Sequence, residues 1–203
     1  MKPGKQCAAA AKAANFALGQ MQRAFHYRTK ATLVPIYKTF VRPKLEFAVA
    51  AWNPWLEMDK KALEKVQERL IRLLSDAKGK TYEEKLEDVG LTTLTERRER
   101  GDAIEAFKTL NGFNQVDKNN WFDIETEKRR PTRRNVVITQ DGEIRKKNVL
   151  KVETARLDVR KNFFTIRAAN VWNKIPVEVR EKNTVNGFKA SYDGWKRGSQ
   201  NDV

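Results

Sequence analysis

The chain has 203 residues, enough for one domain or two small ones, and its 41 Lys and Arg against 26 Asp and Glu give a formal charge of +15. The 40% hydrophobic content excludes a disordered tail. Because the chain has a single Cys and a single His, it can form neither an internal disulfide nor a structural zinc site. The sequence shows neither a membrane-spanning apolar run nor a secretory signal, so we expect an intracellular protein of the nucleus, the cytoplasm or both.

The charge is distributed in three blocks. Residues 1–45 hold nine basic residues and no acidic one, residues 46–127 hold 13 basic and 18 acidic, and residues 128–203 hold 19 basic and 8 acidic. Two basic ends therefore flank a weakly acidic middle. A net charge of this size costs self-repulsion, which predicts a polyanionic partner.

The first two predicted elements are helices. A helix over about 5–25 is predicted by one apolar stripe, whose members recur three or four residues apart: Cys7, Ala11, Ala14, Leu18, Met21 and Phe25. Lys5, Lys12 and Arg23 fall on a different face of that helix. A second helix should run from Ala31 to Phe40, and Pro43 either kinks it or opens a new one.

A turn and a long helix follow. We expect Trp52 and Trp55 to anchor a turn at Asn53-Pro54 with two buried rings. Residues 59–74 should form a helix with an apolar stripe and two favourable ion pairs of i,i+4 spacing, Glu57–Lys61 and Glu68–Arg72. The stripe consists of Leu63, Val66, Leu70 and Leu73.

Two capping boxes mark the next helices. Thr81 with Glu84 predicts a short helix that ends at Gly90, and Thr93 with Glu96 predicts a helix that stops near Gly112. The second of these helices has an apolar face of Ile104, Phe107 and Leu110. Its first turns, residues 96–100, carry no apolar side chain and must face water or a charged partner.

The C-terminal third first loses the helical periodicity of apolar residues and then regains it. Residues 128–151 lose the helical period, and two apolar stretches around Asp141-Gly142 favour a β-hairpin or, equally, a basic loop. A helix over about 160–175 should bury Phe164, Ala168, Val171 and Ile175. A last helix from Thr184 offers Val185, Phe188, Tyr192 and Trp195 on one face. The fold class is therefore mainly α.

Catalytic chemistry is not expected from this chain. His26 is the one imidazole available to a nucleophile, and a surface or aromatic-edge position is far more common for such a residue. The aspartates are scattered, with no Asp-Asp or Asp-x-Asp pair that could clamp two metal ions. The sequence has neither a P-loop nor a glycine-rich dinucleotide fingerprint, and we expect no cofactor and no metal.

The basic clusters predict contacts with nucleic-acid phosphates, because Arg binds phosphate bidentately, Lys acts as a point charge and each contact releases counterions. Residues 128–161 alone hold 12 basic against 4 acidic residues. The alternative is a solvated basic connector, and nothing supports readout of a base sequence. The candidate phosphate-binding residues are Lys12, Arg23, Arg28, Lys30, Arg42, Lys44, Lys128, Arg129, Arg130, Arg133, Arg134, Arg145, Lys146, Lys147, Arg156, Arg160, Lys161 and Arg167.

Three aromatic residues near the C-terminal cations have two interpretations. Phe163, Phe164 and Trp172 could stack on bases, as in proteins that bind single strands. Their helical spacing among apolar neighbours favours the interior of the fold instead.

Several stretches in the same order and spacing resemble one family. They are Lys2-Pro3-Gly4-Lys5-Gln6-Cys7, Val41-Arg42-Pro43-Lys44-Leu45-Glu46-Phe47-Ala48 with Trp52-Asn53-Pro54, Leu63-Glu64-Lys65-Val66-Gln67, Tyr82-Glu83-Glu84-Lys85-Leu86 with Gly90-Leu91-Thr92-Thr93-Leu94, Glu96-Arg97-Arg98, and Val159-Arg160-Lys161-Asn162-Phe163-Phe164 with Val171-Trp172-Asn173-Lys174-Ile175-Pro176. Together, from about Lys2 to Phe188, they resemble the C-terminal part of the reverse transcriptase of jockey-like non-LTR (LINE-type) retrotransposons.

The resemblance implies a helical thumb and the basic region that follows it, without the palm that carries the family's Tyr-x-Asp-Asp motif and without an endonuclease. It implies three parts: a thumb-like helical bundle over 1–127, a basic connector or β-hairpin over 128–160, and a helical segment over 161–203 that packs back on the bundle. No catalytic residue of the family carries over. The implied partners are RNA or an RNA–DNA hybrid, together with the palm and fingers of the same polymerase.

A second hypothesis comes from another class. The chain is then a helical protein-interaction module, or a remnant that self-associates through the apolar stripe of residues 7–25, with no retained role on nucleic acid. An enzyme with its own active site is the third and least favoured hypothesis.

Overall fold

The computed structural model describes residues 3–74, 79–124 and 149–201, and it describes the backbone alone for 136–138, 144–146 and 200–201. This part of the chain is mainly helical, as the sequence predicts. It divides into two compact units, Met1–Arg98 and Glu99–Val203, each of which is treated by itself below. The three-part division of the chain at 127 and 160 stays a prediction.

The first unit is built from successive helices. They are α1 (Gly4–Ala24), α2 (Lys30–Ile36), a π-helix (Tyr37–Val41), α3 (Arg42–Glu46), α4 (Val49–Trp52), α5 (Glu57–Leu74), α6 (Tyr82–Val89) and the beginning of α7 (Leu94–Leu110).

Helix α1 packs along α5 and against the π-helix and α3. Its predicted stripe is confirmed from Cys7 to Met21, because these side chains are all buried in the core of the unit. Phe25 does not belong to the stripe, since it follows the last helical residue and is 37% exposed. The apolar stripe of α1, through which the second hypothesis has the chain self-associate, is thus covered by other helices of the same unit.

The predicted second helix is divided into three segments around two prolines. Pro35 lies inside α2, and Pro43 lies in the first turn of α3, a position that proline tolerates. Pro43 cannot donate a hydrogen bond to the carbonyl of Thr39, and the helix widens into a π-turn just before it, where the N–H of Arg42 bonds the carbonyl of Tyr37.

The tryptophan turn differs from its prediction in burial. Trp52 and Trp55 are half-buried rather than buried, whereas Pro54 between them is buried. The indole N–H of Trp52 donates a 2.8 Å hydrogen bond to the carbonyl of Phe47. Ala48, which caps α4, has a left-handed backbone with φ of 51°.

Helices α5 to α7 begin and end where local signals place them. Thr81 and Glu84 form a reciprocal capping box at the start of α6, and Gly90 ends that helix with φ of 65°. Thr93 and Glu96 form a second reciprocal pair, with hydrogen bonds of 3.2 and 3.1 Å. On α5, Glu68 pairs with Arg72 as predicted, but Glu57 pairs with Lys60 instead of Lys61.

A buried polar cluster joins α5 to the segment between α6 and α7. The Gln67 side chain accepts a 2.8 Å hydrogen bond from the Tyr37 hydroxyl and donates one of 2.9 Å to the Thr92 carbonyl. Glu64 accepts from the Tyr82 hydroxyl at 2.7 Å and from the Leu94 N–H at 3.1 Å. These bonds hold the α6–α7 segment against α5.

The second unit contains the rest of α7 and further short and long helices. They are a 3-10 turn (Lys118–Asn120), α8 (Asp158–Lys161), α9 (Phe164–Lys174), α10 (Val177–Arg180) and α11 (Val185–Asn201). Phe107 of α7 stacks on Phe188 of α11 with ring centroids 4.4 Å apart, and Trp172 of α9 lies 6.2 Å from Phe188. These buried rings form the core of the unit.

Two strands, β1 (Val136–Ile138) and β2 (Ile144–Lys146), pair antiparallel. The residues around and between them lie outside the described part, so the choice between a hairpin insertion and a basic loop over 130–152 stays a prediction.

The prediction of one continuous helix over 160–175 is wrong. The helix is interrupted at Asn162 and Phe163, which separate α8 from α9. Phe164, Ala168 and Ile175 are buried as expected, but Val171 is only half-buried, and Ile166, Ala169 and Trp172 are buried as well. In the described residues, no helix is both long and apolar enough to cross a bilayer.

Candidate nucleic-acid interface

Five of the six candidate cations of the first unit are fully on its surface. Lys12 and Arg23 lie on the solvent side of α1, Arg28 and Lys30 lie just after it, and Lys44 lies on α3. None of the five forms an ion pair with a carboxylate of the described residues. Arg28 makes one hydrogen bond, of 3.4 Å, to the carbonyl of Gln22.

The sixth cation, Arg42, is half-buried and belongs to an internal charge cluster. Its guanidinium lies 3.9 Å from the carboxylate of Glu46, which also accepts a 3.1 Å hydrogen bond from Arg97. Glu46 thereby holds α3 to the beginning of α7. Arg42 is less available to a phosphate than the five exposed cations.

The C-terminal candidates Arg156, Arg160 and Lys161 lie on the surface of the second unit. Arg160 pairs with Glu153 at 2.5 Å, and Lys161 pairs with Asp158 at 3.1 Å. Exposed pairs of this kind contribute little to stability, so a phosphate can replace the carboxylate.

Arg167 has a different environment from the other candidates. Its guanidinium donates to both oxygens of Asp102, at 2.6 and 3.1 Å, and to the Asn162 carbonyl at 2.7 Å. Only 15% of the Arg167 side chain and 1% of the Asp102 side chain are exposed. This geometry indicates a structural contribution, and contact of Arg167 with nucleic acid stays a prediction.

The central candidates are mostly outside the described residues. Arg145 and Lys146 fall within β2, for which the backbone alone is described. The others lie in the gaps on either side: Lys128, Arg129, Arg130, Arg133, Arg134 and Lys147.

The three aromatic residues considered for base stacking separate into two groups. Phe164 and Trp172 are 7% and 2% exposed, which places them in the core as the helical spacing favoured. Phe163 is 47% exposed, and the guanidinium of Arg160 lies 5.3 Å from its ring centroid. A cation stacked on an exposed ring can bind a phosphate and a base together.

The charged start of α7 is predicted to face water or a charged partner. The structure shows two ion pairs there and one buried arginine. Arg97 pairs with Glu46, and Arg100 binds Asp193 with hydrogen bonds of 2.6 and 2.8 Å. Arg98 is only 3% exposed and bonds the Thr95 hydroxyl. Sequence spacing could not indicate the ion pairs of Arg97 and Arg100, because Glu46 and Asp193 are distant in the chain.

The chain has one thiol, Cys7, and one imidazole, His26, and the structure describes both. Burial raises the pKa of the Cys7 thiol to about 11, which keeps it protonated and unreactive at neutral pH. The described part of the chain holds no group of three or more His, Cys, Asp or Glu side chains that could bind a metal ion. The single His26 is exposed on the surface of the first unit.

Sequence reasoning overlooked two exposed aromatic residues of the first unit, Phe40 and Phe47, which are 63% and 79% exposed. The sequence pattern puts Phe40 at the end of a helix and Phe47 at the start of the tryptophan turn. The available signal was that both fall outside every apolar stripe.

No family model, curated protein or solved structure matches the chain. The resemblance to non-LTR reverse transcriptases therefore rests on the sequence stretches quoted above.

Proposed function

We propose that the chain is a nucleic-acid-binding C-terminal fragment of a non-LTR retrotransposon reverse transcriptase, an RNA-directed DNA polymerase. It holds template–primer or element RNA through the phosphate backbone. This places it in the nucleus or cytoplasm, with RNA or an RNA–DNA hybrid as its partner. In the intact polymerase the palm and fingers would be further partners.

The observation that carries the proposal is the exposed cation set of the first unit. Lys12, Arg23, Arg28, Lys30 and Lys44 are exposed, and their segment of the chain contains no acidic residue. Side chains that are already solvated and unpaired with carboxylates lose little on contacting a phosphate, and each contact releases counterions. The mainly helical fold agrees with a thumb, although it does not by itself specify one.

The second unit supplies a smaller surface of the same chemistry. Arg156, Arg160 and Lys161 are exposed, and the guanidinium of Arg160 lies over the half-exposed ring of Phe163. Here Glu153 and Asp158 compensate two of the cations. We therefore assign the main phosphate contacts to the first unit.

The direct test is fluorescence anisotropy with a labelled RNA–DNA primer–template, single-stranded RNA and duplex DNA over a salt series. We expect the hybrid to bind most tightly, with a log–log salt slope that corresponds to about five or more phosphate contacts. Absence of binding at low salt, or tight binding that does not depend on salt, would contradict the proposal. Equal weak binding to all three probes would mean that the chain has a basic surface but no preference for the RNA–DNA hybrid, which contradicts a thumb.

A matched pair of variants separates a specific surface from net charge. The Lys12→Glu/Arg23→Glu variant reverses two charges on α1, and Lys61→Glu/Lys65→Glu reverses two exposed lysines on α5. Both variants have the same net charge. We expect the α1 variant to lose at least about tenfold in affinity and to show a smaller salt slope, whereas the α5 variant changes affinity only slightly.

A further inference from the structure

The first unit carries an open groove of about 700 Å³ between the C-terminal half of α1 and the segment from the end of α2 through α3. Its volume lies within the range of ligand-binding clefts. Five of its eleven lining residues are aliphatic: Ala17, Met21, Ala24, Ile36 and Pro43. The neutral polar side chains of its lining are Gln20 and Thr39.

Three phenylalanines line the same groove and remain accessible to solvent. Phe25, Phe40 and Phe47 are 37%, 63% and 79% exposed. Isolated exposed apolar residues are common on protein surfaces, but three aromatic rings around one concave apolar surface are typical of an interaction site. The π-turn ahead of Pro43 contributes, because Thr39 and Phe40 lie in it.

The charge around the groove has one sign. Lys44 is part of the lining, and no acidic residue is. Arg23 lies three residues after the lining residue Gln20, on the adjoining part of the α1 surface. The neighbouring carboxylate of Glu46 is engaged by Arg42 and Arg97.

We propose that this groove is a docking site for an acidic amphipathic α-helix of a protein partner. Apolar side chains of the partner at i, i+3 or i+4, and i+7 would lie among the three phenylalanines, and its acidic flank would face Lys44 and Arg23. Charge complementarity with Lys44 and Arg23 identifies the occupant as acidic, and a concave groove between helices fits a helix better than a flat lipid surface. The proposal does not depend on the proposed nucleic-acid function.

The lining favours a protein helix over a single-stranded nucleic acid. Bases that enter an apolar cleft bring several donors and acceptors, and a lining with only Gln20 and Thr39 as neutral polar side chains leaves most of them unpaired. Leu and Phe side chains have no such requirement.

The test uses the full chain and defined probes in fluorescence anisotropy. The main probe is a labelled helical peptide of about 18 residues with Leu and Phe on one face and Glu on the other. The matched probe carries Lys in place of every Glu. We expect the acidic peptide to bind at least about tenfold more tightly than the basic one, with weaker binding at high salt.

Paired variants assign the binding to the groove. We expect Phe40→Ala/Phe47→Ala to lower the affinity for the acidic peptide by at least about tenfold. Tyr27→Ala/Met58→Ala removes two exposed apolar side chains outside the groove and should leave it unchanged. Lys44→Glu should weaken binding several-fold, and the exposed Lys61→Glu on α5 should not. Because all these side chains are exposed, circular dichroism should show an unchanged fold.

Three results would overturn the inference. The first is no binding of the acidic peptide, or equal binding of the basic one. The second is loss of single-stranded RNA binding in the Phe40→Ala/Phe47→Ala variant without any effect on the peptide. The third is groove-dependent binding to phosphatidylserine vesicles in place of the peptide. Failure of the nucleic-acid proposal has a different signature, which is absence of RNA or hybrid binding in the wild-type chain.

Discussion

The guanidinium of Arg167 binds the buried carboxylate of Asp102 through two parallel hydrogen bonds, from Nε to Oδ2 at 2.6 Å and from Nη2 to Oδ1 at 3.1 Å. The two residues are 65 positions apart in sequence and join α9 to α7 within the second unit. A bidentate pair fixes the relative orientation of two helices more narrowly than apolar packing does.

Removing one member of this pair should destabilise the second unit strongly. Arg167→Met leaves the Asp102 carboxylate, whose side chain is 1% exposed, without its guanidinium, and we expect a loss of about 3 kcal/mol in the free energy of unfolding. The double variant Arg167→Met/Asp102→Leu should recover most of the loss, because no charge is left uncompensated. Urea denaturation measures both. A single variant that costs under about 1 kcal/mol would contradict the structural role.

The side chain of Gln67 should be a second point of high sensitivity. Gln67→Leu leaves the Tyr37 hydroxyl without its acceptor and the Thr92 carbonyl without its donor, which should cost about 2–3 kcal/mol of unfolding free energy. Gln6→Leu, at an exposed position of α1, is the control and should change stability by less than about 0.5 kcal/mol. Equal effects of the two substitutions would exclude the buried cluster as a source of stability.

Glu64 gives the first unit a specific pH dependence. Burial outweighs the hydrogen bonds from Tyr82 and Leu94 and raises the pKa of Glu64 in the folded chain above its ordinary value. Between the ordinary and the raised pKa, the folded state holds a proton that the unfolded state has released. Stability contributed by this group is therefore present at lower pH and decreases as the pH rises through that window.

The measurement compares urea unfolding of the wild type and Glu64→Gln from about pH 4 to 7. Other titrations are common to both chains and cancel in the difference. We expect the wild type to lose stability relative to the variant as the pH rises. A difference that is constant, or that changes in the other direction, would show that Glu64 does not titrate as described.

The left-handed backbone at Ala48 predicts a stabilising substitution. With φ of 51°, an alanine is strained by its Cβ, and a glycine is not. We expect Ala48→Gly to raise the free energy of unfolding by about 0.5–1 kcal/mol, after allowance for the greater freedom of glycine in the unfolded chain. Ala51→Gly, within α4, should have the opposite sign by a similar amount, and thermal denaturation distinguishes the two.

The single thiol should report opening of the first unit. Cys7 is fully buried, and with a pKa of about 11 only about one molecule in a thousand holds a thiolate at pH 8. Alkylation by iodoacetamide should therefore be slower by at least about a hundredfold in the native chain than in urea. Similar rates in both conditions would mean that α1 does not pack on α5 in solution.

The sequence predicted those parts of the fold that are encoded within a few residues. Thr81 with Glu84 and Thr93 with Glu96 marked two helix starts correctly, and Gly90 marked an end, because caps act locally. The buried stripe of α1 was predicted equally well, since helical periodicity reports which face is covered.

Features that depend on distant partners could not be predicted in this way. Arg98 and Asp102 are buried charges in a segment that has no apolar residue at its start, and the sequence predicts phosphate contact for Arg167, whose partner Asp102 is 65 positions away. The break between α8 and α9 at Asn162 was missed because an apolar period continues across it. The aromatic groove could not be predicted for a related reason, since Phe40 and Phe47 line one groove with Phe25 only when α1 packs against α3.

In the interface between α1 and α5, one helix contributes small side chains and the other contributes large ones. This difference limits which substitutions each helix tolerates. Over its first three turns α1 contributes Cys7, Ala10, Ala11 and Ala14, whereas α5 contributes Leu63, Val66 and Leu70. Enlarging a side chain on α1 forces overlap, and trimming one on α5 opens a void. In a saturation library the buried positions of α5 should thus tolerate bulky apolar residues, whereas those in the first three turns of α1 should retain only the smallest ones.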